Sequence, residues 1–419
     1  MTDTLPLRRL SLGRRTHAPV AAGVARAIFS RAVRLVPVRV TWPDGRITGG
    51  AAADADAPDL EVIRSRAFFT RLGRDTKIGF GEAYVAGDWR AAAGTDLADL
   101  LTPFAARLTS LVPRPMQRVR ALVDVRQPSQ HENTLDGSRH NIAAHYDLSN
   151  DLFEQFLDPT MSYSAAWFDD DGSAGDPGDL EAAQLRKIDG ILDFADVGAG
   201  TRLLEVGTGW GSLAVRAAQR GAQVTSVTIS AEQLEFAQEL VDIAGVGDRV
   251  DLRLEDYREV SGEYDAIVSV EMIEAVGEQY WPTYFKTLDR LLAPGGKVAI
   301  QSITMAHERM LATRHSFGWI QKYIFPGGLI PSLQAIDNTV GQHTGLRVTG
   351  RRDLGQHYAR TLRQWRTRFL QNWPEIQTLG FDDPFRRMWE FYLAYCEAGF
   401  RADYLGVSQL QLTREPTWT

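Results

Sequence analysis

The sequence predicts an α/β fold, in which a mostly parallel sheet carries helices on both faces, together with a smaller N-terminal α+β domain. Two observations predict it. After residue 140, short apolar segments alternate with longer segments of helical periodicity, which is typical of parallel strands joined by crossover helices. Residues 203–211 also read as a buried strand that runs into a Gly-x-Gly-x-Gly turn, with a helix behind it.

The elements of this C-terminal part follow in order along the chain. Strands are predicted at residues 202–206, 223–228, 250–253, 266–270 and 297–303. Helices are predicted at residues 150–157, 212–220, 231–244, 280–292, 332–343, 359–370 and 384–402. The run Pro294-Gly295-Gly296 has turn chemistry and predicts a tight turn ahead of the last strand.

The N-terminal part has a different pattern. Residues 36–42 and the segment from Arg46 onward predict two strands joined by a turn, and residues 64–72 predict a helix. A glycine-rich turn region at 79–89 and a proline-interrupted helical segment at 97–123 come next. The polar stretch 127–138 predicts a linker, so we place an accessory domain at residues 1–130 and a catalytic domain at 131–419.

Composition excludes several classes of protein. The single cysteine, Cys396, excludes a disulfide framework and a cysteine-rich zinc site, and no metal site is expected. No apolar run approaches the ~20 residues of a membrane span, and no signal-peptide pattern opens the chain. We therefore expect a cytoplasmic protein.

Basic residues cluster although the net charge is −7. The first 50 residues hold nine arginines against two aspartates, and residues 347–368 hold seven arginines against one aspartate. Such segments attract anionic surfaces, and solvated helix faces are the alternative explanation. No zinc-finger, RNA-recognition or basic-zipper pattern is present, so nucleic acid is not expected as a partner.

The spacing of the glycine turn indicates which nucleotide it binds. A dinucleotide fingerprint would place its third glycine at Ser212, whereas Gly211 comes one residue earlier. An NAD site would also end its second strand in an acidic residue, and this strand ends in Thr228. Both observations favour S-adenosylmethionine.

Ligands of an open α/β sheet bind at the carboxyl ends of its strands, so the residues at successive strand ends should lie together. Here they offer glycines for close approach, polar groups for a ribose, and a carboxylate and an aromatic ring for adenine. The predicted cofactor residues are Glu205, Gly207, Gly209, Gly211, Thr228, Ile229, Gln233, Asp256 and Tyr257.

From about residue 140 to 411, the chain resembles the cyclopropane fatty acid synthase family, which includes the mycolic acid cyclopropane synthases. The resemblance is carried by the glycine turn and by the segments 145–151, 161–164, 274–277 and 321–328. It implies a class I S-adenosylmethionine methyltransferase fold with a seven-stranded sheet and helical lid insertions. It also adds Tyr163 and Ser164 to the predicted cofactor residues.

The resemblance implies methylation of a cis double bond in a phospholipid acyl chain. An alkene is a weak nucleophile and its methylation leaves a carbocation, so the site should be dry and lined by aromatic rings. Tyr163, Trp167, Phe317, Trp319 and Tyr323 are available for that wall, and core packing is the alternative for each.

A base must finally take a proton. The family resemblance implies a bicarbonate held by a cysteine, a glutamate, a histidine and a tyrosine. In this chain the cysteine position is Ala165, and the anion-binding histidine position, at the end of the fifth strand, is Gln301. The glutamate and the tyrosine are Glu274 and Tyr358, and Ala275 stands where a histidine commonly follows the glutamate. We predict Glu274 and Tyr358 as the catalytic pair, with Gln301 as a supporting ligand and bicarbonate as a second cofactor.

Residues 271–277 and 301–304 resemble the actinobacterial branch that makes 10-methylene and then 10-methyl stearoyl lipids, the second step needing a separate reductase. A cyclopropane product stays open. So do two other functions, an N- or O-methyltransferase of a small metabolite and a non-catalytic lipid-binding partner. We expect peripheral binding to the inner face of the membrane, with Arg351 and Arg352 as lipid contacts. The N-terminal domain is expected either to present lipid or to form a homodimer.

Overall fold

A computed structural model of the chain describes residues 18–50, 54, 56–107, 149–169 and 179–414. These residues form two units, one of residues 18–96 and one that begins at residue 97. The predicted boundary near residue 130 lies outside the described residues and stays a prediction. The motif at 145–148 also lies outside them.

The first unit is a small α+β domain, as predicted. Its helices are α1 (Ala18–Arg34), α2 (Ser65–Arg74) and α3 (Gly79–Val85), and its strands are β1 (Arg39–Thr41), β2 (Ile47–Gly49), β3 (Asp59–Val62) and β4 (Trp89–Ala91). The strand order is β2-β1-β3-β4, and only β1 and β3 are parallel among the described strands of this sheet. Phe29, Phe68 and Phe69 form its aromatic core, with ring centroids 4.9–5.9 Å apart.

The prediction of a turn region at residues 79–89 is wrong for the first half of that segment, which forms helix α3. A Cβ at Gly79 would lie 2.3 Å from the carbonyl oxygen of Arg71. This glycine therefore allows α3 to pack closely against α2, which a pattern of glycines alone does not distinguish from a turn.

The second unit contains the predicted strands and helices. Its strands are β5 (Arg202–Val206), β6 (Gln223–Thr228), β7 (Val250–Leu254), β8 (Tyr264–Val270), β9 (Leu292–Met305), β10 (Leu346–Asp353) and β11 (Leu405–Arg414). Its helices are α4 (Leu97–Ala106), α5 (Asn150–Glu154), α6 (Asp179–Phe194), α7 (Ser212–Gln219), α8 (Ala231–Ala244), α9 (Ile273–Val276), α10 (Trp281–Leu291), α11 (His307–Thr313), α12 (Trp319–Tyr323), α13 (Leu333–His343), α14 (Gly355–Gln371), α15 (Trp373–Thr378) and α16 (Asp383–Arg401), with a 3-10 turn at Glu278–Tyr280.

The seven-stranded sheet has the order β10-β11-β9-β8-β5-β6-β7. Strands β5 to β9 are parallel, whereas β11 runs antiparallel to both β9 and β10. The chain moves from β5 outward to β7 and then returns to the other side of β5 at β8. The carboxyl end of β5, where the glycine turn lies, is therefore the switch point of the sheet.

Both faces of this sheet are covered by helices. Leu203 belongs to a core cluster with residues of α6, α7 and α8, whereas its neighbour Leu204 belongs to a second cluster with residues of α10 and α13. Adjacent strand residues enter opposite cores because side chains alternate across a sheet. The predicted class of fold is confirmed.

Some elements differ from their prediction. The strand predicted at 297–303 is β9, which begins at Leu292 and continues through Gly295, where φ is +79°. Helix α6 and the antiparallel strands β10 and β11 were not predicted. Helix α4 packs against α16, where Asp99 and Arg401 form an ion pair at 2.5 Å. Within the described residues, no helix is long and apolar enough to cross a membrane.

Candidate active site

The glycine turn after β5 forms an open cradle. Gly207, Gly209 and Gly211 have φ of +95°, +53° and +95°, a region that L-residues rarely adopt. A Cβ at Gly207 would lie 2.7 Å from the sulfur of Met272, while a Cβ at Gly209 would meet nothing within 4 Å. The turn thus presents bare backbone and, through Gly211, the N-terminal end of α7, which suits a closely approaching ligand.

The predicted cofactor residues come together around this cradle. One pocket is lined by Tyr163, Ser164, Glu205, Gly207, Gly209, Thr228, Ile229, Gln233, Asp256 and Tyr257. Gly211 caps helix α7 instead of lining the pocket. The structure thus places the predicted set at one site, and its role in binding stays a prediction.

Polar groups in this pocket are held by their neighbours. The Thr228 hydroxyl donates to the side-chain oxygen of Gln233 at 3.0 Å, which leaves the amide nitrogen of Gln233 as a donor for a ribose. Asp256 accepts from Arg258 at 2.7 and 2.8 Å. Burial raises the pKa of Tyr257 to about 12, so its ring stays neutral. These groups fit the ribose and adenine of S-adenosylmethionine.

Glu205 lies beneath the turn and is 3% exposed. Its Oε2 accepts from the Ser226 hydroxyl at 2.6 Å. Burial raises the pKa of Glu205 to about 8, and the Ser226 hydrogen bond and the charge of Lys187 oppose that rise.

Lys187 is a buried lysine in the same pocket, and it was missed by sequence reasoning. Its Nζ donates to the Ser164 hydroxyl at 2.8 Å. Burial lowers the pKa of Lys187 to about 8, against the attraction of Glu271, Asp158 and Glu205. It supplies positive charge between the carboxylates.

Glu271, at the end of β8, is held by three donors. Its Oε1 accepts from the backbone N–H of Ala165 at 2.9 Å and from Nε2 of Gln301 at 2.8 Å. Its Oε2 accepts from the hydroxyl of Tyr358 at 3.3 Å. Burial raises the pKa of Glu271, while these hydrogen bonds and Lys187 oppose the rise. The residue lines the cofactor pocket.

Gln409 fixes the orientation of the Gln301 side-chain amide. Oε1 of Gln301 accepts from Nε2 of Gln409 at 3.1 Å, and Oε1 of Gln409 accepts from Arg352 at 3.0 Å. An amide whose oxygen is already engaged turns its NH₂ group the other way, here toward Glu271.

Glu274 has a different environment from Glu271. Its Oε1 accepts from the Ser302 hydroxyl at 2.9 Å and from the backbone N–H of Ile303. Gln301 and Ser302 are consecutive in β9, so their side chains leave opposite faces of the strand and each engages a different glutamate. Burial and the nearby charge of Glu271 raise the pKa of Glu274 to about 8. Tyr358 and Gln301 thus contact Glu271 and not Glu274, and the catalytic role predicted for Glu274 stays a prediction.

An aromatic cluster adjoins the site. Tyr163 stacks on Trp365 with centroids 5.1 Å apart, and its hydroxyl lies 2.8 Å from that of Tyr392. Tyr358 packs against Phe400 at 4.6 Å. Of the predicted aromatic residues, Tyr163 therefore lies at the pocket.

The other predicted aromatic residues lie elsewhere. Trp319 of α12 packs against Tyr323 at 5.4 Å and against Phe391 of α16 at 4.9 Å. Phe317 is buried just before α12. Trp167 lies under the guanidinium of Arg352, 4.2 Å from its ring centroid.

The basic stretch at 347–368 is engaged in internal contacts. Arg351 pairs with Asp353 through two hydrogen bonds of 2.6 and 2.8 Å. Arg352 also lies 4.5 Å from the centroid of Phe194, in addition to its contacts with Trp167 and Gln409. Further on, Arg360 pairs with Asp179, and Arg363 and Arg366 both pair with Glu397. Several of these charges are thus compensated within the fold, and the lipid contacts of Arg351 and Arg352 stay a prediction.

The chain is similar to proteins of one known family. The family model for mycolic acid cyclopropane synthetase matches residues 133–410. The chain is 52% identical over 400 residues to the tuberculostearic acid methyltransferase UfaA1 of Mycobacterium tuberculosis, covering 95% of this chain and 92% of that protein. It is 33% identical over 379 residues to the cyclopropane-fatty-acyl-phospholipid synthase of Escherichia coli, covering 87% of this chain and 90% of the relative.

Solved structures are similar as well. The mycolic acid cyclopropane synthase CmaA1, solved with SAH and CTAB, superposes with a TM-score of 0.60 at 30% identity, covering 68% of this chain and 98% of that one. The cyclopropane synthase MmaA2 of Mycobacterium tuberculosis gives the same TM-score and identity over 65% of this chain and 97% of its own.

Proposed function

The chain belongs to the mycolic acid cyclopropane synthetase family, and from that premise we propose that it methylates the cis double bond of an unsaturated phospholipid acyl chain, using S-adenosylmethionine. Relatives named as a tuberculostearic acid methyltransferase and as a cyclopropane-fatty-acyl-phospholipid synthase, at 52% and 33% identity, support this substrate class. Both alignments cover nine-tenths or more of the relative.

One observation carries the proposal. The cofactor pocket is lined by the carboxylate of Glu271, which accepts a hydrogen bond from Tyr358, and by the ring of Tyr163, which stacks on Trp365. S-adenosylmethionine, when bound, supplies an electrophilic methyl group on a sulfonium. A methyltransferase for an amine or hydroxyl has no carbocation to protect, whereas alkene methylation needs both a water-poor aromatic wall and a proton acceptor.

Each part of the site has a distinct task. The bare backbone at Gly207 and Gly209 allows the cofactor to approach closely, and Gln233 and Asp256 orient its sugar and base. Tyr163, with the rings stacked behind it, excludes water and presents a π-face to positive charge. A proton acceptor at the site completes the reaction.

We propose a 10-methylene acyl product. Two observations support it: the resemblance of residues 271–277 and 301–304 to the methylene-forming branch, and the 52% identity to the tuberculostearic acid methyltransferase. Saturating that methylene needs a hydride donor, so the product passes to a separate reductase that acts on a methylene-branched acyl chain.

We also propose that the protein works peripherally on the inner face of the membrane. Because four arginines of 347–368 are paired with carboxylates, the N-terminal arginines are the better candidates for contacting anionic lipid. Of these, Arg31 and Arg34 lie exposed on α1. Binding that rises with the anionic lipid content of vesicles and falls with salt would support this, and binding insensitive to both would contradict it.

The test of the activity uses vesicles of dioleoyl phospholipid with methyl-labelled S-adenosylmethionine. We expect label in the acyl chains after transesterification. Methylene and cyclopropane products have the same mass, so proton NMR of the purified ester must distinguish an exocyclic =CH₂ group from ring protons. Ring protons would refute the methylene product, and absence of label in lipid would refute the activity.

A further inference from the structure

We infer that Glu271 is the proton acceptor of this reaction, a base supplied by the chain itself where the family resemblance implies a bound bicarbonate. The inference rests on the proposed function and names a catalytic residue for it. The predicted catalytic pair of Glu274 and Tyr358 is thereby replaced by Glu271 and Tyr358.

The first support is the convergence of donors on one carboxylate. The backbone N–H of Ala165, the amide of Gln301 and the hydroxyl of Tyr358 belong to three separate segments of the chain, and all three donate to Glu271 within 3.3 Å. The resemblance assigned the positions of Ala165, Gln301 and Tyr358 to anion ligands. In this chain, the anion that they hold is a side chain.

The second support is the backbone at Glu271. Its φ of +52° lies in the left-handed region, which is strained for a non-glycine residue. Its N–H donates to the carbonyl of Gln301 at 2.7 Å, which fixes the main chain beside the same glutamine that binds the carboxylate. A glycine would relieve this conformation, so the carboxylate is retained against a backbone cost. Such outliers are concentrated at functional sites.

The third support is that bicarbonate does not fit the arrangement. The donors that would bind bicarbonate already donate to Glu271. A bicarbonate beside them would lack hydrogen bonds of its own and would face the negative charge of the Glu271 carboxylate. Like charges at contact distance disfavour each other strongly. The arrangement therefore does not fit a bound bicarbonate.

The chemical step is balanced with Glu271 as acceptor. The methyl group forms a C–C bond to one alkene carbon, the sulfonium takes the S–C electron pair, and the neighbouring carbon becomes cationic. A 1,2-hydride shift moves the positive charge to the methyl-bearing carbon. The Glu271 carboxylate then takes one proton from that methyl group, whose C–H electron pair becomes the exocyclic double bond. Lys187 compensates the negative charge before the transfer.

Glu274 is poorly placed for this step. Its Oε1 is engaged by Ser302 and Ile303, while its Oε2 is buried and has no hydrogen-bond partner among the described residues. An ionised carboxylate with a bare buried oxygen is disfavoured, so Glu274 is the protonated member of the two.

The test compares Glu271→Gln with wild type. Glutamine can keep the shape and the hydrogen bonds of the site but is not a base. We expect lipid methylation to fall by about 10²–10⁴-fold, while calorimetric affinities for S-adenosylmethionine and S-adenosylhomocysteine stay within about twofold. Glu263→Gln, an exposed change of the same type just before β8, should leave both unchanged. Activity of Glu271→Gln close to wild type, or a loss matched by an equal loss of cofactor affinity, would overturn the inference.

A second variant, Glu271→Gly, frees the three donors and relieves the backbone. We expect ¹³C-bicarbonate to bind to it and not to wild type, as detected by NMR line broadening without turnover. Added bicarbonate or formate should also restore part of its activity, whereas wild type should work equally well in carbonate-free buffer. A wild type that binds bicarbonate or needs it for activity would overturn the inference. A wild type without lipid methylation would instead refute the proposed function.

Discussion

Tyr358→Phe should shift the pH dependence of catalysis without abolishing it. The variant removes a hydroxyl that donates to Oε2 of Glu271 at 3.3 Å. Burial holds the pKa of Tyr358 well above its usual value, so this hydroxyl remains a donor throughout the working range of pH. The aromatic ring, packed 4.6 Å from Phe400, is unchanged by the substitution.

The magnitude follows from the length of this hydrogen bond. A hydrogen bond to a charged group contributes about 1.5–3 kcal/mol, and a 3.3 Å contact belongs at the lower end of that range. Since one pKa unit corresponds to about 1.4 kcal/mol, loss of the hydroxyl should raise the pKa of Glu271 by about one unit. The acid limb of the kcat–pH profile should move up by the same amount, with the plateau value within about threefold of wild type.

Stopped assays of lipid methylation across the acid range measure this shift, with saturating cofactor at every pH. Tyr404→Phe is the matched control, because the Tyr404 hydroxyl accepts from Arg309 away from the pocket. Its acid limb should not move. An unmoved acid limb in Tyr358→Phe, or a uniform loss of about 100-fold at every pH, would refute the assignment of this hydroxyl as a donor to the base.

Three further predictions concern the cofactor pocket. Gly207→Ala should destabilise the fold by about 1–3 kcal/mol and weaken the binding of S-adenosylhomocysteine, as measured by calorimetry. The reason is that Gly207 has a positive φ and that its new Cβ would lie 2.7 Å from the sulfur of Met272. Gly198→Ala should have neither effect, because a Cβ there would meet nothing within 4 Å. Lys187→Met should raise the pH of half-maximal activity by about one unit or more, since it removes the positive charge beside Glu271, and an unmoved pH profile would contradict this. The pKa of Glu205 is raised to about 8 in the folded state, so the folded protein binds this proton more tightly than the unfolded chain does. The resulting contribution to stability is lost as pH rises from about 5 to 8. In urea titrations, Glu205→Gln should therefore flatten the fall in unfolding free energy over that pH range.

The sequence predicted the site wherever local chemistry decides a residue's place. The glycine turn, Thr228 and Asp256 follow strand ends, and strand ends of a parallel sheet meet at one edge. Gln301 and Tyr358 were also predicted as members of the proton-accepting site, and the structure brings them together on one carboxylate.

What the sequence could not show was which glutamate they would hold. Glu271 and Glu274 are three residues apart, and each follows the same strand. Their difference arises from the left-handed backbone at Glu271 and from the alternation of side chains along β9, neither of which a pattern of residue types reveals. A positive φ at a non-glycine residue has no sequence signature.

The environments of Lys187 and Arg352 were not predicted, for a related physical reason. A charged residue in an amphipathic segment is normally solvated, so sequence reasoning places it on the surface. Lys187 is instead buried among acceptors at 3% exposure, and Arg352 lies between two aromatic rings. Burial of a charge depends on partners far along the chain, such as Glu271 for Lys187 and Gln409 for Arg352.

Ala165, Gln301 and Tyr358 are consistent with one another if Glu271 is the base. A histidine at position 301 would place a cation beside the carboxylate and lower its pKa, which would make it a weaker base. A thiol at position 165 would add bulk where the backbone N–H of Ala165 donates to Oε1. Gln301, Ala165 and Tyr358 instead give neutral hydrogen bonds, which orient the carboxylate and stabilise its ionised form less than a cation would. Ala165, Gln301 and Tyr358 therefore orient the Glu271 carboxylate with neutral hydrogen bonds, and Lys187 supplies the nearby positive charge.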